Sequence, residues 1–153
     1  MIRHPGDSVA VRADASVAFE PGRVCAVMTA DCLPVVLTDR GGSRVGVVHA
    51  GWRGLLDGVV EATIAALGTA PAELFAWLGP AIGPDAFEVG DEVRAAFADR
   101  DPTAMECFRS NERNRYQADL TGLARLALAA AGPGSGQGGG WATHGESEGP
   151  FSS

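Results

Sequence analysis

Thr29 to Gly54 reads TADCLPVVLTDRGGSRVGVVHAGWRG, and the fold turns on this stretch. Leu33–Thr38 is apolar and β-branched, which predicts a strand. Pro34 near its start has no N–H for a ladder and suits a strand beginning or an edge. Arg44–His49 predicts a second strand, and Asp39-Arg40-Gly41-Gly42 between the two has the composition of a turn. If Thr38 and Ser43 flank that turn as a pair, the hairpin sets Cys32 directly opposite His49. Directly opposite residues share a face of a sheet, with Cβ atoms about 4.5–5.5 Å apart. A one-residue slip would place them on opposite faces.

A thiol and an imidazole held that close have two chemistries. Zinc accepts Cys sulfur and His nitrogen, and a catalytic zinc takes three protein ligands plus an open position. Without metal, His49 would take the proton of Cys32 and make it a covalent nucleophile. A buried cysteine beside a satisfied histidine is the purely structural alternative. Gly51-Trp52-Arg53-Gly54 follows the histidine as a tight strand-to-helix turn. Its backbone N–H groups and Arg53 suit a phosphate or another anion; a solvated loop arginine is the alternative. Asp31, next to the cysteine, is a candidate acid or base. Trp52 suits either stacking on a planar ligand or packing under the loop.

Working outward, Val24–Thr29 predicts a strand after the turn pair Pro21-Gly22. Leu55–Leu67 carries Leu56, Val59, Val60, Ile64 and Leu67 at helical spacing, with Gly68 as its stop. Leu74–Leu78 predicts a short buried strand with Trp77 in the core. Gly79-Pro80-Ala81-Ile82-Gly83-Pro84 predicts a loop, since two prolines remove donors and two glycines free the backbone. Asp91–Ala98 predicts a helix, as does the stretch from the cap Asp119 to Ala131 before Gly132-Pro133. The chain divides into a loosely ordered residues 1–12, a domain of residues 13–131 and a glycine-rich tail of residues 132–153. That tail reads as a linker or as a glycine-rich strand lacking its partner.

The chain has 153 residues, the length of one domain with a single core. Hydrophobic residues are 46% and charged residues 20%, the balance of a globular protein. A net charge of −7 with no basic block excludes nucleic acid as the main partner, and no run is long and apolar enough for a membrane. Three cysteines, Cys25, Cys32 and Cys107, at irregular spacing are not a disulfide framework, so a reducing cytoplasmic setting is expected. Cys25 and Cys107 read as structural.

The blocks Thr29-Ala-Asp-Cys-Leu-Pro34, His49-Ala-Gly-Trp-Arg-Gly54, Gly79-Pro-Ala-Ile-Gly-Pro84 and Phe87-Glu-Val-Gly90 occur here in order. Together with Ala13-Asp14-Ala15, Ala118-Asp119-Leu120 and Gly138-Gly-Gly140, they resemble the YfiH-type purine nucleoside phosphorylases, also called laccase-domain or polyphenol-oxidase proteins and linked to peptidoglycan editing. The likeness runs from about Ala13 to about His144. It implies a compact α/β (α+β) sandwich of mixed sheets with helices outside. It implies a zinc ion held by two His and one Cys, with Cys32 and His49 as two of the ligands. The implied reactions are phosphorolysis of adenosine, inosine and methylthioadenosine, and deamination of adenosine. The implied partners are a purine nucleoside and phosphate, on a monomer or homodimer.

The chain departs from that pattern at both ends. The histidine of the family's Gln-Val-His-Gly motif has no counterpart except His4, which lies closer to Ala13-Asp14-Ala15 than the family spacing. Ala142-Thr143-His144 lacks the family's preceding cysteine, and Phe151-Ser152-Ser153 lacks the basic residues that usually follow. Asp85-Ala86 stands where cysteine is common. Three other readings therefore stay open: a non-catalytic relative that keeps the fold, a metal-free Cys–His hydrolase or deamidase, and a copper-dependent phenol oxidase. Three histidines are few for a multicopper site.

Overall fold

A computed structural model describes the backbone of residues 2–3 and 12–144, and the side chains of 12–143. The expectations for the loosely ordered residues 1–12 and for His4 lie almost wholly outside these residues, as does the end of the tail. The frame is a six-stranded mixed sheet built from β1 (Ile2–Arg3), β2 (Ala15–Ala18), β3 (Leu33–Asp39), β4 (Val45–Ala50), β5 (Leu74–Leu78) and β10 (Ser135–Gly138). Its spatial order is β1-β2-β4-β3-β5-β10. β1–β2 and β5–β10 pair in parallel; the other neighbours are antiparallel.

Alternation along the strands decides which face is covered. Leu33, Val35 and Leu37 of β3, Val48 and Ala50 of β4, and Leu74 and Leu78 of β5 are all buried. Helices α1 (Trp52–Leu56), α2 (Val59–Leu67) and α4 (Leu120–Ala131) share one core with them. Gly46 sits on the same face, where a Cβ would meet Thr63 Cγ2 of α2 at 3.0 Å. The missing side chain is what lets α2 lie against the sheet. Asp119 caps α4 as expected, its carboxylate accepting from the Gly122 N–H, and Gly132 ends it at φ 88°.

Two small sheets complete the fold. β6 (Ala81–Ile82) pairs in parallel with β11 (Ala142–His144). β8 (Phe108–Ser110) and β7 (Glu88–Val89) flank β9 (Tyr116–Ala118), beside α3 (Asp91–Arg100). Mixed sheets with helices against them is the α/β architecture expected from the sequence.

Several local expectations are corrected. β3 and β4 pair as Leu33↔Ala50 through Thr38↔Val45, not as Thr38 with Ser43. Asp39 is the reason: its N–H bonds the Arg44 carbonyl, and its carboxylate accepts from the N–H groups of Ser43 and Arg44 and from the Ser43 hydroxyl. The strand therefore runs one residue further, and the turn is Arg40–Ser43. Pairs move by two positions, so every side chain keeps its face. Cys32 and His49 share that face diagonally, not head-on.

Val24–Thr29 is not a strand. It has no ladder partner among the described residues, and Val24 and Met28 are almost fully exposed. Cys25 is half-buried, its thiol directed at the Val45 carbonyl. The predicted helix Leu55–Leu67 is two helices, because Gly58 adopts φ 84° between them. β5 is buried on one face only, and Trp77 is 49% exposed on the other, outside the core. The Gly79–Pro84 run is not all loop, since Ala81 and Ile82 find a strand partner some sixty residues away. The glycine-rich segment after Pro133 likewise has its partner: Ser135–Gly138 lies in register beside β5.

Candidate active site

The site forms where β3 begins, β4 ends and the chain turns into α1. The residue opposite Cys32 in the extended register is Gly51. A Cβ on Gly51 would lie 3.2 Å from Cys32 Sγ and 3.7 Å from His49 Nε2. The thiol and the imidazole thus border one small space that any larger residue would fill. The sequence reading of Cys32 and His49 as neighbours on one face agrees with this geometry, by a route different from the head-on pairing.

His49 is held from behind. Its Nδ1 lies 3.3 Å from Asp14 Oδ1, and its backbone N–H donates to the Asp14 carbonyl at 2.7 Å. Asp14 immediately precedes β2, whose pairing of Ala15 with Val48 fixes this contact. A carboxylate on Nδ1 sets the tautomer that leaves Nε2 free to accept a proton or a metal. Burial and the neighbouring Asp31 carboxylate push the Cys32 thiol above its ordinary value.

A cavity of about 730 Å³ opens in front of these groups. Besides Cys32, His49 and Asp14 its walls include Trp52, Arg53 and Asp57. Its size is that of a small-molecule pocket. The Arg53 guanidinium lies 4.3 Å from the centroid of the Trp52 ring. That stacking orients the cation at the cavity wall and occupies one face of the indole.

Asp31 is placed differently from its neighbours. It does not line this cavity; its Oδ1 accepts from the Thr143 hydroxyl at 2.8 Å, and its carbonyl accepts from the Ile82 N–H. Asp31, the residue before Cys32, is thereby tied to both β6 and β11. The backbone of His144 belongs to β11. Among the described residues no group of three His, Cys, Asp or Glu side chains is arranged to hold one metal ion. Cys32 and His49 supply two donors of the kind zinc takes, around a cradle the size of a Cβ, so they fit a metal as a partial ligand set.

Sequence reasoning gave no role to Asp14 or Asp57, and read Gly51 only as part of a tight turn. Asp14 and Gly51 stood inside recognised blocks, but their roles depend on which strands pair. Asp57 reaches the cavity only because α1 stops after five residues at the Gly58 turn.

Among curated relatives, the purine nucleoside phosphorylase PA4543 of Pseudomonas aeruginosa is 52% identical over 134 residues, covering 87% of this chain and 55% of its own length. The purine nucleoside phosphorylase YfiH of Escherichia coli is 51% identical over 141 residues, covering 92% of this chain and 58% of its own length. A crystal structure of a Neisseria meningitidis protein matches at a TM-score of 0.82 and 52% identity, covering 86% of this chain and 54% of that one. A Bacillus licheniformis protein called hypothetical protein YfiH matches at 0.76 and 29% identity, covering 85% and 51%. The chain spans about half the length of the relatives it matches. Residues 2–153 match the family described as multi-copper polyphenol oxidoreductase laccase, and with these YfiH-named relatives the chain belongs to that family.

Proposed function

We propose that the chain is a zinc-dependent purine nucleoside phosphorylase that also deaminates adenosine, acting on adenosine, inosine and methylthioadenosine. The observation that carries this reading is the convergence of Cys32 Sγ and His49 Nε2 on one cradle, with Asp14 behind the imidazole and Arg53 in the wall of the same cavity. The relatives called purine nucleoside phosphorylases support the substrate class.

Cys32 and His49 would hold the metal, with a third ligand beyond those two; His4 is the sequence candidate. A zinc ion bound by them would supply Lewis acidity. The chain's own residues do the rest. Arg53 holds phosphate by paired N–H donors. In phosphorolysis a phosphate oxygen bonds C1′ as the C1′–N9 bond breaks, and the purine leaves with a proton. Asp31 was the expected acid or base; to serve, its carboxylate must leave Thr143 and turn into the cavity. Asp57 already lines the wall and offers a carboxylate to the nucleoside's hydroxyl or amino groups. Three free cysteines support a reducing, cytoplasmic setting, and no helix among the described residues is long and apolar enough to cross a membrane.

Purified protein incubated with adenosine, with and without phosphate, tests the proposal when products are resolved by chromatography. Adenine and ribose 1-phosphate report phosphorolysis; inosine reports deamination. Bound metal should approach one zinc per chain and be lost in Cys32→Ala and His49→Ala. Copper in its place would favour the phenol-oxidase reading. Thiol alkylation at Cys32 that chelators leave unchanged, with no metal, would favour a Cys–His hydrolase. No turnover by metal-replete protein would sink the enzymatic reading and leave a metal-binding relative, which the two-donor set among the described residues favours as the second reading.

A further inference from the structure

Arg53, near the start of α1, and Asp57, its C-terminal cap, both line the cavity in front of Cys32 and His49. The Asp57 N–H donates to the Arg53 carbonyl at 2.8 Å, so the helical turn between them is closed. Residues at this spacing have Cβ atoms about 5–6 Å apart, and an arginine and an aspartate so placed ordinarily pair. These two do not: no ion pair joins them among the described residues. The guanidinium lies instead over the Trp52 ring, 4.3 Å from its centroid. Both residues are exposed. The cavity wall thus carries, one helical turn apart, a fork of N–H donors and a carboxylate that only accepts.

We propose that this pair is a sugar-phosphate subsite, in which Arg53 takes the phosphate and Asp57 the neighbouring 2- and 3-hydroxyls of the ribose, a choice of sugar that rests on the phosphorylase reading above. In that reaction a phosphate oxygen bonds C1′ as the C1′–N9 bond breaks. The electron pair leaves on the purine, which takes up a proton. Displacement in line puts phosphate and purine on opposite sides of C1′. A carboxylate beside the phosphate-binding arginine therefore meets the sugar, whose 2′-hydroxyl stands on the carbon next to C1′. The amino group at the far edge of the base is out of its reach. Two adjacent hydroxyls match the two carboxylate oxygens. The 5′ position does not serve, because methylthioadenosine has no 5′-hydroxyl, whereas all three proposed nucleosides keep the 2′ and 3′ pair. Phosphate without the sugar faces Asp57 as a like charge and is the weaker ligand. Asp57 is thereby the residue that selects ribose over 2-deoxyribose.

Ribose 1-phosphate, 2-deoxyribose 1-phosphate and inorganic phosphate, titrated into the full chain by calorimetry at neutral pH, test this without turnover. Ribose 1-phosphate should bind about tenfold more tightly than its 2-deoxy form, the low end for a hydroxyl on a charged acceptor, because Asp57 is exposed. Asp57→Ala should erase that difference and bind inorganic phosphate more tightly than wild type does. Arg53→Ala should lose all three ligands. Circular dichroism confirms that each variant is folded. Equal affinity of wild type for the two sugar phosphates would overturn the proposal. So would a preference that survives Asp57→Ala, or no binding at millimolar ribose 1-phosphate. In turnover with phosphate, adenosine should have a KM about tenfold below that of 2′-deoxyadenosine, again one hydroxyl on an exposed carboxylate. Equal KM values would sink the subsite and leave the phosphorylase reading standing. Selective binding of ribose 1-phosphate with no turnover would sink that reading and support the subsite.

Discussion

Moving one methyl group tests whether α2 is seated on the sheet as described. Gly46 is the second residue of β4, opposite Leu37 on one side and Val17 on the other, and it is buried. Its φ is not in the left-handed region, so the backbone accepts alanine. The added Cβ would stand 3.0 Å from Thr63 Cγ2, but 3.5 Å from Val17 Cγ1 and 3.6 Å from Leu67 Cδ1. Only the first contact is tight. Overpacking costs about 1–3 kcal/mol, offset by about 0.5–1 kcal/mol from replacing a strand glycine. Gly46→Ala should therefore lose about 0–2.5 kcal/mol, by the difference of those two terms. At this chain length that is a fall in Tm of up to roughly 10 °C.

Thr63→Ser deletes Cγ2 while keeping the hydroxyl that donates to the Val59 carbonyl at 2.7 Å. Alone it should cost about 1 kcal/mol for the lost buried methyl. Together the two changes relocate a methyl across a contact, so the double variant should lie near Thr63→Ser or above it, with a coupling of about 1–2 kcal/mol. Urea denaturation of the four proteins, read by circular dichroism with midpoint and slope, gives the cycle. Additivity within about 0.5 kcal/mol, or a Gly46→Ala protein more stable than wild type, would refute the packing argument. The result bears on the site because α2 also contributes Val59 and Ala62 to the cavity wall.

Asp14→Asn should leave the fold intact and weaken zinc binding about tenfold by competition with a chelating dye. This is the low end of the range for a residue behind a metal ligand, because Asp14 is more than half exposed; unchanged affinity would remove its orienting role. Arg53→Ala should raise KM for phosphate at least tenfold and Arg53→Lys less so, since a lysine keeps the charge but not the paired donors; a change in kcat alone would reassign the residue. The Asp39 carboxyl is held below its ordinary value first by the Ser43 hydroxyl and then by backbone N–H groups. Its folded pKa is lowered, so its contribution is present above the ordinary carboxylate range and is lost as pH falls through the folded value. Asp39→Asn should accordingly lower stability at neutral pH and flatten the acid limb of a denaturation-versus-pH series; parallel curves would count against this. Burial, then Asp119, Glu106 and Asp101, push the Cys107 thiol up to about 11, so native protein should leave Cys107 unalkylated at mildly alkaline pH and react there only when unfolded.

Local chemistry was legible without a structure. The apolar runs of β3, β4 and β5, the Asp119 cap and the Gly68 and Gly132 stops are set by residues within a few positions of one another. So was the shared face of Cys32 and His49, because a strand's two-residue period survives a register shift of two. What only the tertiary structure decided are the pairings between distant segments. Asp39 chose the register by reaching over the turn. Ala81–Ile82 became a strand because residues 142–144 lie beside it, and the glycine-rich Ser135–Gly138 because β5 offers an edge. Val24–Thr29 has strand composition but no partner to bond among the described residues. Asp14 behind His49 and the Gly51 cradle exist only once β2, β3 and β4 are aligned. Side-chain type records which chemistry is possible; long-range backbone pairing brings the groups together, and that pairing is written in no single stretch of the chain.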